Sequence, residues 1–372
     1  MQTKHQKHSK LSARENEKFA FNEIAILGTK CSIIADFVQK TSKTLQKRAK
    51  IAYFDASHSD EISSPIVDSF TFQHSGGLTI NAASEINKFN ERIRLSQYDL
   101  VFINGNHYQG EKQILILDDQ KEASVLKRLE QLNRIQFVVK LNKDSKYFDF
   151  LVKRYPTIKN LKCYHIDDIV AISKHINNLI QEKIAPVQGL VLAGGKSTRM
   201  GKDKTELNYY GTPQRDFAVK LLEEHLMQTY VSVAQDQKTE GDKIIGDTFV
   251  GLGPFGAICS AFQYNPNKAW LVLATDLPFV NAEVIKLLLQ KRNPKKIATA
   301  IKGKSKPFVE PLITIYEPKA YPVLLSYLAQ GYSCPRKVLI NSDVEIIEVD
   351  DQLIANINTP DEFEDALKKI NG

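Results

Sequence analysis

Residues 189 to 204 read GLVLAGGKSTRMGKDK. The apolar run from Gly189 to Ala193 predicts a buried parallel strand. The two adjacent glycines that follow let backbone N–H groups approach a polyphosphate with no Cβ in the way. Arg199 can bind phosphate as a planar fork, and Lys204 as a point charge. A solvated basic turn would have a similar composition, but the combination of strand, glycines and cations favours a phosphate-binding loop.

This loop differs from both common nucleotide-binding patterns. It lacks the G-x-x-x-x-G-K-[ST] order of a P-loop and the G-x-G-x-x-G of a dinucleotide site. It resembles the L-A-G-G-x-S-x-R-M-G-x-D-K signature of the molybdenum-cofactor guanylyltransferases, the MobA family, from Leu192 to Lys204. Gly195 resembles the guanylyl branch, since cytidylyl relatives usually carry Ala-Ala-Gly there. The resemblance implies a Rossmann-like nucleotidyltransferase fold in which Leu192, Ala193, Gly194, Gly195 and Lys204 bind the nucleotide.

Two aspartates after later strands are the next candidates. Residues 270–274 predict a strand, and Asp276 follows at its carboxyl end, where ligand-binding groups collect in open α/β sheets. A carboxylate there can hold Mg²⁺, which binds phosphate oxygens and keeps several waters. Asp276 resembles the metal-binding Asp of the family's C-D-x-P motif, with Thr275 in place of the cysteine, and the resemblance implies that Asp276 also contacts the nucleotide. Asp247 resembles the family's second acidic position, which implies contact with the nucleotide and a share with Asp276 in holding the metal. A solvated loop position is the alternative for each aspartate.

Further segments of this half also match the family. Residues 251–256, GLGPFG, resemble its G-P-L-x-G segment, although a tight turn would account for the same glycines. Residues 306–312, KPFVEPL, resemble the region that contributes to the pterin side. Asn356 and Asn358 match the N-x-N-T-P motif, which implies contact with the pterin. The sequence TPDE at 359–362 predicts a capping box at the start of a helix, and this local role accounts for these four residues without a ligand.

The N-terminal half predicts a second mostly parallel α/β sheet, because strands alternate with helices. It resembles a MobB-type P-loop domain in its opening strand–turn–helix, in HSGG at 74–77 and in DLVFING at 99–105. Residues 28–32, GTKCS, stand where that family has G-x-x-G-x-G-K-T-T, so the groups that bind the β/γ-phosphates and Mg²⁺ are missing. We expect no GTP hydrolysis here. A scaffold, oligomerisation or pterin-delivery role is expected, with weak nucleotide binding as the alternative.

Length and local composition predict the domain organisation. The chain has 372 residues, enough for two domains that each have a core. We expect a disordered basic tail at 1–18, the MobB-like domain without an intact Walker A motif at 19–183, and the MobA-like domain at 187–372. Pro186 marks the joint, because proline breaks the preceding helix. A nucleic-acid-binding arm is the alternative for the tail.

Composition also narrows the expected partners. The formal net charge of +7 suits anionic small molecules, and no nucleic-acid-binding motif accompanies it. No apolar run approaches the ~18 residues that cross a bilayer. The four cysteines lack metal-binding spacing and indicate reduced thiols, although their even number leaves disulfides open. We therefore expect a cytoplasmic protein that binds neither nucleic acid nor membrane.

The resemblance implies a Mg²⁺-dependent nucleotidyltransferase. It would move GMP from GTP to the terminal phosphate of molybdopterin and release pyrophosphate, with Arg199 and Lys204 as catalytic residues that neutralise phosphate charge. The resemblance also implies molybdoenzymes or their chaperones as further partners. Two alternatives remain at this point: a cytidylyl- or sugar-phosphate nucleotidyltransferase, and a non-catalytic assembly protein that binds a nucleotide or pterin.

Overall fold

The computed structural model describes residues 19–56, 67–81, 87–194, 204–226, 228–234 and 243–371. The predicted tail at 1–18 lies outside the described residues, as do Gly195 and Arg199. The chain divides into two compact units, Met1–Lys183 and Ile184–Gly372, here called the first and second unit. In the described ranges, no helix combines the length and the apolar character that a membrane span requires.

The first unit contains a six-stranded parallel sheet flanked by helices. The unit has eight strands within the described residues: β1 (Glu23–Leu27), β2 (Ile51–Phe54), β3 (Ser69–Phe72), β4 (Leu78–Asn81), β5 (Leu100–Asn104), β6 (Lys112–Leu117), β7 (Ile135–Lys140) and β8 (Cys163–His165). Its helices are α1 (Cys31–Leu45), α2 (Lys88–Leu95), α3 (Glu122–Lys127), α4 (Asp149–Arg154) and α5 (Ile169–Gln181). The sheet order is β2-β5-β1-β6-β7-β8, and β3 and β4 form a separate antiparallel pair.

The core of the first unit explains why its central strands are apolar throughout. Ile24 and Ile26 of β1 pack in one cluster with the buried faces of α1 and α5. Ala25 and Leu27 belong to different clusters on the opposite side of the sheet. Both faces of β1 are therefore buried, as expected for a parallel strand covered by helices on each side.

The second unit contains a seven-stranded sheet with one antiparallel strand. Its strands are β9 (Val187–Leu192), β10 (Thr229–Val233), β11 (Ile244–Gly246), β12 (Ala269–Ala274), β13 (Ala298–Gly303), β14 (Glu310–Tyr316) and β15 (Val344–Val349). Its helices are α6 (Gln214–Glu223), α7 (Pro254–Tyr264), α8 (Ala282–Gln290), α9 (Ala320–Ala329), α10 (Pro335–Ile340) and α11 (Pro360–Asn371). The predicted fold class is confirmed: both units are α/β, with mostly parallel sheets flanked by helices.

The strand order of the second unit places its ligand-binding edge. The order is β11-β10-β9-β12-β14-β13-β15, so the chain moves from β9 outward to β11 and then returns to β12 on the other side of β9. Leu192 at the end of β9 is in register with Ser232 of β10 and with Ala274 of β12. The strand order thus reverses between β9 and β12, and ligands in open α/β sheets bind outside the carboxyl ends of strands at such a point.

Candidate nucleotide-binding site

A cavity of about 160 Å³ opens at the carboxyl ends of β9, β10 and β11. Its lining, within the described residues, consists of Leu192, Gly194, Ser232, Ala234, Asp247, Gly251, Gly253, Pro254 and Ala257. Three of the predicted nucleotide-binding residues, Leu192, Gly194 and Asp247, therefore share one cavity. They come from segments that are far apart in the chain, and the parallel sheet brings them to the same edge.

The start of the glycine loop packs tightly against the end of β10. Ala193 is buried, and its N–H donates to the carbonyl of Ser232 at 3.0 Å. A Cβ at Gly194 would lie 3.0 Å from the backbone nitrogen of Ala234, so any larger residue would have to push the two segments apart. This close approach accounts for the first glycine of the pair. Lys204 begins a short 3₁₀ turn, Lys204–Glu206, and its side chain lies outside the described part of the chain.

Asp247 is half-buried at the wall of the cavity. Its backbone N–H donates to the carbonyl of Val233 at 3.0 Å, which holds the residue beside the end of β10. The hydroxyl of Ser232 donates to Oδ1 of Asp247 at 2.9 Å. Burial raises the pKa of the Asp247 carboxyl, and the Ser232 hydrogen bond offsets only part of that rise. The site thus offers a partly desolvated carboxylate acceptor to any ligand that enters the cavity.

The N-terminus of α7 forms another wall of the cavity. Gly253 precedes this helix with φ +56° and ψ −139°, a conformation that is essentially restricted to glycine. Pro254 occupies the first helical position, where its missing N–H costs no hydrogen bond. A Cβ at Gly256 would lie 2.3 Å from the carbonyl oxygen of Phe249, so this glycine is required for packing. The G-x-G-P-x-G pattern therefore makes a tight turn and also places the positive end of a helix at the cavity.

Asp276 lies on the other side of β9 from this cavity, after β12. Its carbonyl accepts from the N–H of Ile357 at 2.9 Å, and the adjacent Thr275 hydroxyl donates to the carbonyl of Leu192 at 3.4 Å. Burial raises the pKa of both Tyr209 and Glu310, and the negative charge of Asp276 raises each of them further. Asp276 and Asp247 are thus kept apart, one on each side of β9. Among the described residues, no group of three or more His, Cys, Asp or Glu side chains could hold a metal ion.

The Asn356–Asn358 segment adjoins Asp276, because Ile357 between the two asparagines donates the hydrogen bond to the Asp276 carbonyl. The predicted capping box follows at once and is confirmed. The Thr359 hydroxyl accepts from the Glu362 N–H at 3.3 Å, and the Glu362 carboxylate accepts from the Thr359 N–H at 3.1 Å. This box fixes the entry to α11 and so holds the asparagine segment in place.

Three polar residues near these candidates cannot be singled out from the sequence. Ser232 donates a hydrogen bond to Asp247, but it belongs to the apolar strand β10, and nothing in that sequence indicates a role at the site. Glu310 is buried at the start of β14 and accepts from Arg336 Nη2 at 3.0 Å. Arg336 partly counters the rise that burial causes in the pKa of Glu310. The sequence marked Glu310 only as part of a segment, and nothing in it distinguished Arg336.

The sequence of the second unit is similar to those of several known proteins. Residues 189–345 match the family described as the MobA-like NTP transferase domain. The "Molybdenum cofactor biosynthesis bifunctional protein" of Synechocystis sp. is 33% identical over 183 residues, which are 48% of this chain and 53% of that protein. The "Probable molybdenum cofactor guanylyltransferase" of Clostridium perfringens is 29% identical over 191 residues, 48% of this chain and 95% of that protein.

The chain thus spans about half the length of the bifunctional relative. Among solved structures, molybdopterin-guanine dinucleotide biosynthesis protein A from Archaeoglobus fulgidus is 25% identical, with a TM-score of 0.42, and covers 50% of this chain and 98% of its own. The family match runs from β9, across the cavity at the ends of β9 to β11, to the start of β15. The C-terminal half of the chain therefore contains a MobA-like NTP transferase domain.

Proposed function

We propose that the second unit transfers GMP from GTP to the terminal phosphate of molybdopterin and releases pyrophosphate. The observation that carries this proposal is the cavity in which the glycine loop, Asp247 and the N-terminus of α7 meet. The loop and helix supply backbone donors for an anion, and Asp247 supplies an acceptor for the base. The names of the relatives support the same substrates, since they are described as molybdenum cofactor guanylyltransferases.

Asp247 favours guanine over cytosine on chemical grounds. The Watson–Crick edge of guanine presents two adjacent donors, N1–H and the N2 amino group, which one carboxylate can accept together. Cytosine presents its N4 amino group beside an unprotonated ring nitrogen, which would face the same carboxylate with a lone pair. A buried site built to hydrogen-bond one ligand rejects another that leaves its polar groups unpaired. Asp247 therefore favours the guanylyl branch over the cytidylyl alternative.

The surroundings of Asp276 fit a divalent cation. Mg²⁺ needs only one or two carboxylates when substrate phosphates supply further oxygens, so a cage of several acidic residues is not required. Asp276 acts electrostatically on the buried Glu310, which pairs with Arg336 at 3.0 Å, and a cation at Asp276 would balance the second carboxylate. Asp276 would hold the ion, which supplies charge neutralisation at the phosphates when bound.

The remaining chemistry is positioning. A phosphate oxygen of the acceptor attacks the α-phosphorus of GTP in line, the new P–O bond forms, and the bond to the β-phosphate oxygen breaks to release pyrophosphate. Backbone N–H groups around Gly194 and Gly195 hold the nucleotide, while Arg199 and Lys204 neutralise the developing charge. Asn356 and Asn358 would contact the pterin, and their segment adjoins Asp276 through the Ile357 hydrogen bond.

For the first unit we propose a MobB-like domain that does not hydrolyse GTP. Its β1–turn–α1 opening has the outline of a P-loop, but the turn lacks the Lys-Ser/Thr pair at the required spacing. A role as scaffold, oligomerisation module or carrier of the pterin to the transferase is consistent with this loss. All four cysteines of the chain are free thiols, which supports a reducing compartment such as the cytoplasm. Molybdoenzymes or their chaperones would be partners that receive the product.

The test is pyrophosphate release by the full chain with Mg²⁺ and molybdopterin, comparing GTP, CTP, ATP and UTP. We expect turnover with GTP alone and a loss of about 10²–10³-fold in kcat in Lys204→Ala, by analogy with removal of one charge-stabilising donor. Lys220→Ala, on the adjacent helix α6, is the matched control and should keep wild-type turnover. Turnover with CTP would move the protein to the cytidylyl branch, and silence with all four nucleotides would favour a binding protein.

A further inference from the structure

A thiol and an imidazole meet at the carboxyl edge of the first unit's sheet. Cys31 is the first residue of α1, and His107 lies in the loop after β5. Sγ of Cys31 lies 3.3 Å from Nε2 of His107 and 3.5 Å from Nδ2 of Asn106. In this sheet β1 lies between β5 and β6, so the pair occupies the edge where open α/β sheets bind ligands.

The local backbone is built to hold the pair together. Gly28 has φ +102°, and a Cβ there would lie 2.2 Å from the carbonyl oxygen of Ile116, so only glycine allows this turn into α1. Asn106 Nδ2 also donates to the carbonyl of Thr29 at 2.8 Å, which connects the β5 loop to the turn. The guanidinium of Arg128 donates to the carbonyl of Asn106 at 2.7 Å. Cys31 and His107 are therefore held by contacts from three separate segments.

A buried amide donor points to a ligand at the same place. Asn104 has no exposed surface, and its Oδ1 accepts from the N–H of Asn106 at 3.0 Å. Its Nδ2 makes no hydrogen bond of normal geometry within the described part of the chain. The same amide is one of the groups that lower the pKa of the Cys31 thiol. An unpaired buried donor is unfavourable, and a negative charge on the neighbouring sulfur would relieve it.

The electrostatics favour that negative charge. Partial burial raises the pKa of the Cys31 thiol, but the contacts from Asn106 and His107, the nearby Asn104 amide and the charge of His107 more than offset it and leave the pKa lowered. Cys31 also lies at the N-terminus of a 15-residue helix whose N-cap, Lys30, makes no side-chain capping bond. The helix dipole stabilises an anion at this position. Two nearby carboxylates are engaged by other groups: Asp55 accepts from the Tyr53 hydroxyl at 2.8 Å, and Asp118 accepts from the Thr29 hydroxyl at 2.8 Å.

We propose that Cys31, paired with His107, is a nucleophilic thiolate that undergoes exchange with low-molecular-weight disulfides. The thiolate attacks one sulfur of the disulfide, a Cys31–S bond forms and the S–S bond of the reagent breaks. The leaving thiolate takes a proton from the His107 imidazolium, so the products are a mixed disulfide and a free thiol. Cys31 is partly exposed, and exchange requires access to the sulfur alone. This proposal is independent of the transferase reaction of the second unit.

The chain supplies its own internal controls for the test. The full-length protein at pH 7 is treated with a limiting aromatic disulfide reagent, quenched in acid and mapped by mass spectrometry for modification at each cysteine. Cys163 and Cys334 are more exposed than Cys31, so they would react first if access alone governed the rate. We expect Cys31 to react about tenfold faster than either, because the rate follows the thiolate fraction. A Cys31 rate equal to or below those of Cys163 and Cys334 would overturn the proposal.

His107→Gln tests the pair itself, with His165→Gln in the same unit as the matched control. We expect His107→Gln to slow modification of Cys31 about tenfold while Cys163 and Cys334 keep their rates, and we expect His165→Gln to leave Cys31 unchanged. The pH profile of Cys31 should shift upward in His107→Gln, with His107 and Tyr53 as the titratable groups beside the thiol. Circular dichroism verifies folding. A folded His107→Gln variant with the wild-type rate and profile at Cys31 would contradict the role of His107.

Discussion

At the scale of single residues, Asp247 has the most demanding position in the proposed site. Its carboxylate lines the cavity and accepts from Ser232 at 2.9 Å. It must be ionised to accept both donors of a guanine edge. Burial raises the pKa of this carboxyl, so the acceptor is lost at a higher pH than an ordinary aspartate would lose it. Guanine binding should therefore weaken as the pH falls through the raised pKa of Asp247.

Asp247→Asn tests this residue. We expect kcat/KM for GTP to fall about 10- to 100-fold, because a hydrogen bond to a charged group contributes about 1.5–3 kcal/mol. The decline of GTP turnover toward acid pH should also flatten, since the titrating carboxyl is gone. Steady-state pyrophosphate release across pH measures both effects. Asp365→Asn removes an exposed carboxylate that pairs with Lys368 and should change neither. If Asp247→Asn keeps the wild-type preference for GTP over CTP, base recognition by Asp247 is refuted.

Which residues can be predicted from sequence depends on how their contacts are made. The glycine loop, Asp247 and Asp276 can be proposed from the sequence because they belong to a recurrent motif or follow an apolar strand. Ser232 was not, because its contact with Asp247 exists only once two neighbouring strands are paired in register. The Cys31–His107 pair was missed for the same reason, since it joins the start of one helix to the loop after a distant strand.

At the scale of elements, α7 is placed by glycines and not by a capping side chain. Gly253 turns the chain into the helix without a side-chain hydrogen bond, and Pro254 starts the first turn. The N–H groups of that first turn therefore have no side-chain acceptor at the N-cap, and the turn lines the cavity. An anionic ligand at this end would be stabilised by the helix dipole.

Gly253→Ala tests the turn. We expect a loss of about 1–3 kcal/mol of unfolding free energy, because alanine is strained in the observed backbone conformation. GTP should also bind more weakly, since the strain moves the start of α7. Gly246→Ala is the matched control, because a Cβ at Gly246 meets nothing within 4 Å and its φ is ordinary. Trp270, the single tryptophan, reports unfolding of this unit by its fluorescence. Equal stability and equal GTP affinity in the two variants would contradict the requirement for glycine at 253.

The strands that the sequence predicts most directly are long apolar runs buried on both faces. All six residues of β12 are buried, and its apolar run left little alternative to a central strand. The pair of β3 and β4 was not predicted, because its aromatic residues face solvent and give no amphipathic signal; Phe72 is 80% exposed. The strand β15 was also missed, since its VEIIEV sequence does not alternate regularly. The start of α11 was predicted from local capping chemistry alone.

At the scale of the whole molecule, the two units have separate sheets and separate cores. Each also has polar residues at the carboxyl edge of its sheet, with different chemistry. The second unit presents glycines and carboxylates, which suit a nucleotide and a cation. The first presents a thiol, an imidazole and amides after a turn that lacks the P-loop lysine. One chain thus has two candidate sites with distinct ligands.

Hydrogen–deuterium exchange of the full chain with GTP and Mg²⁺ separates the two sites. We expect protection at the cavity segments of the second unit, around residues 190–194, 229–234 and 244–257, because bound ligand lowers local opening there. The turn at residues 28–32 should exchange as it does without nucleotide. ATP at the same concentration is the matched control and should protect neither region. Protection at 28–32 would show that the first unit has retained nucleotide binding despite its altered turn.

The hydrogen bond from Ile357 to Asp276 has a consequence for biosynthesis. Asp276 emerges from the ribosome well before Ile357, and α11 packs Ala366 against Leu207 and Tyr209 just after the nucleotide loop. Domains generally fold as units during translation, the N-terminal one first. The first unit can therefore mature while the second is still being synthesised. The proposed transferase site is assembled only after the residues up to Ala366 have been translated, so a chain terminated before them would carry the thiol site without a finished transferase.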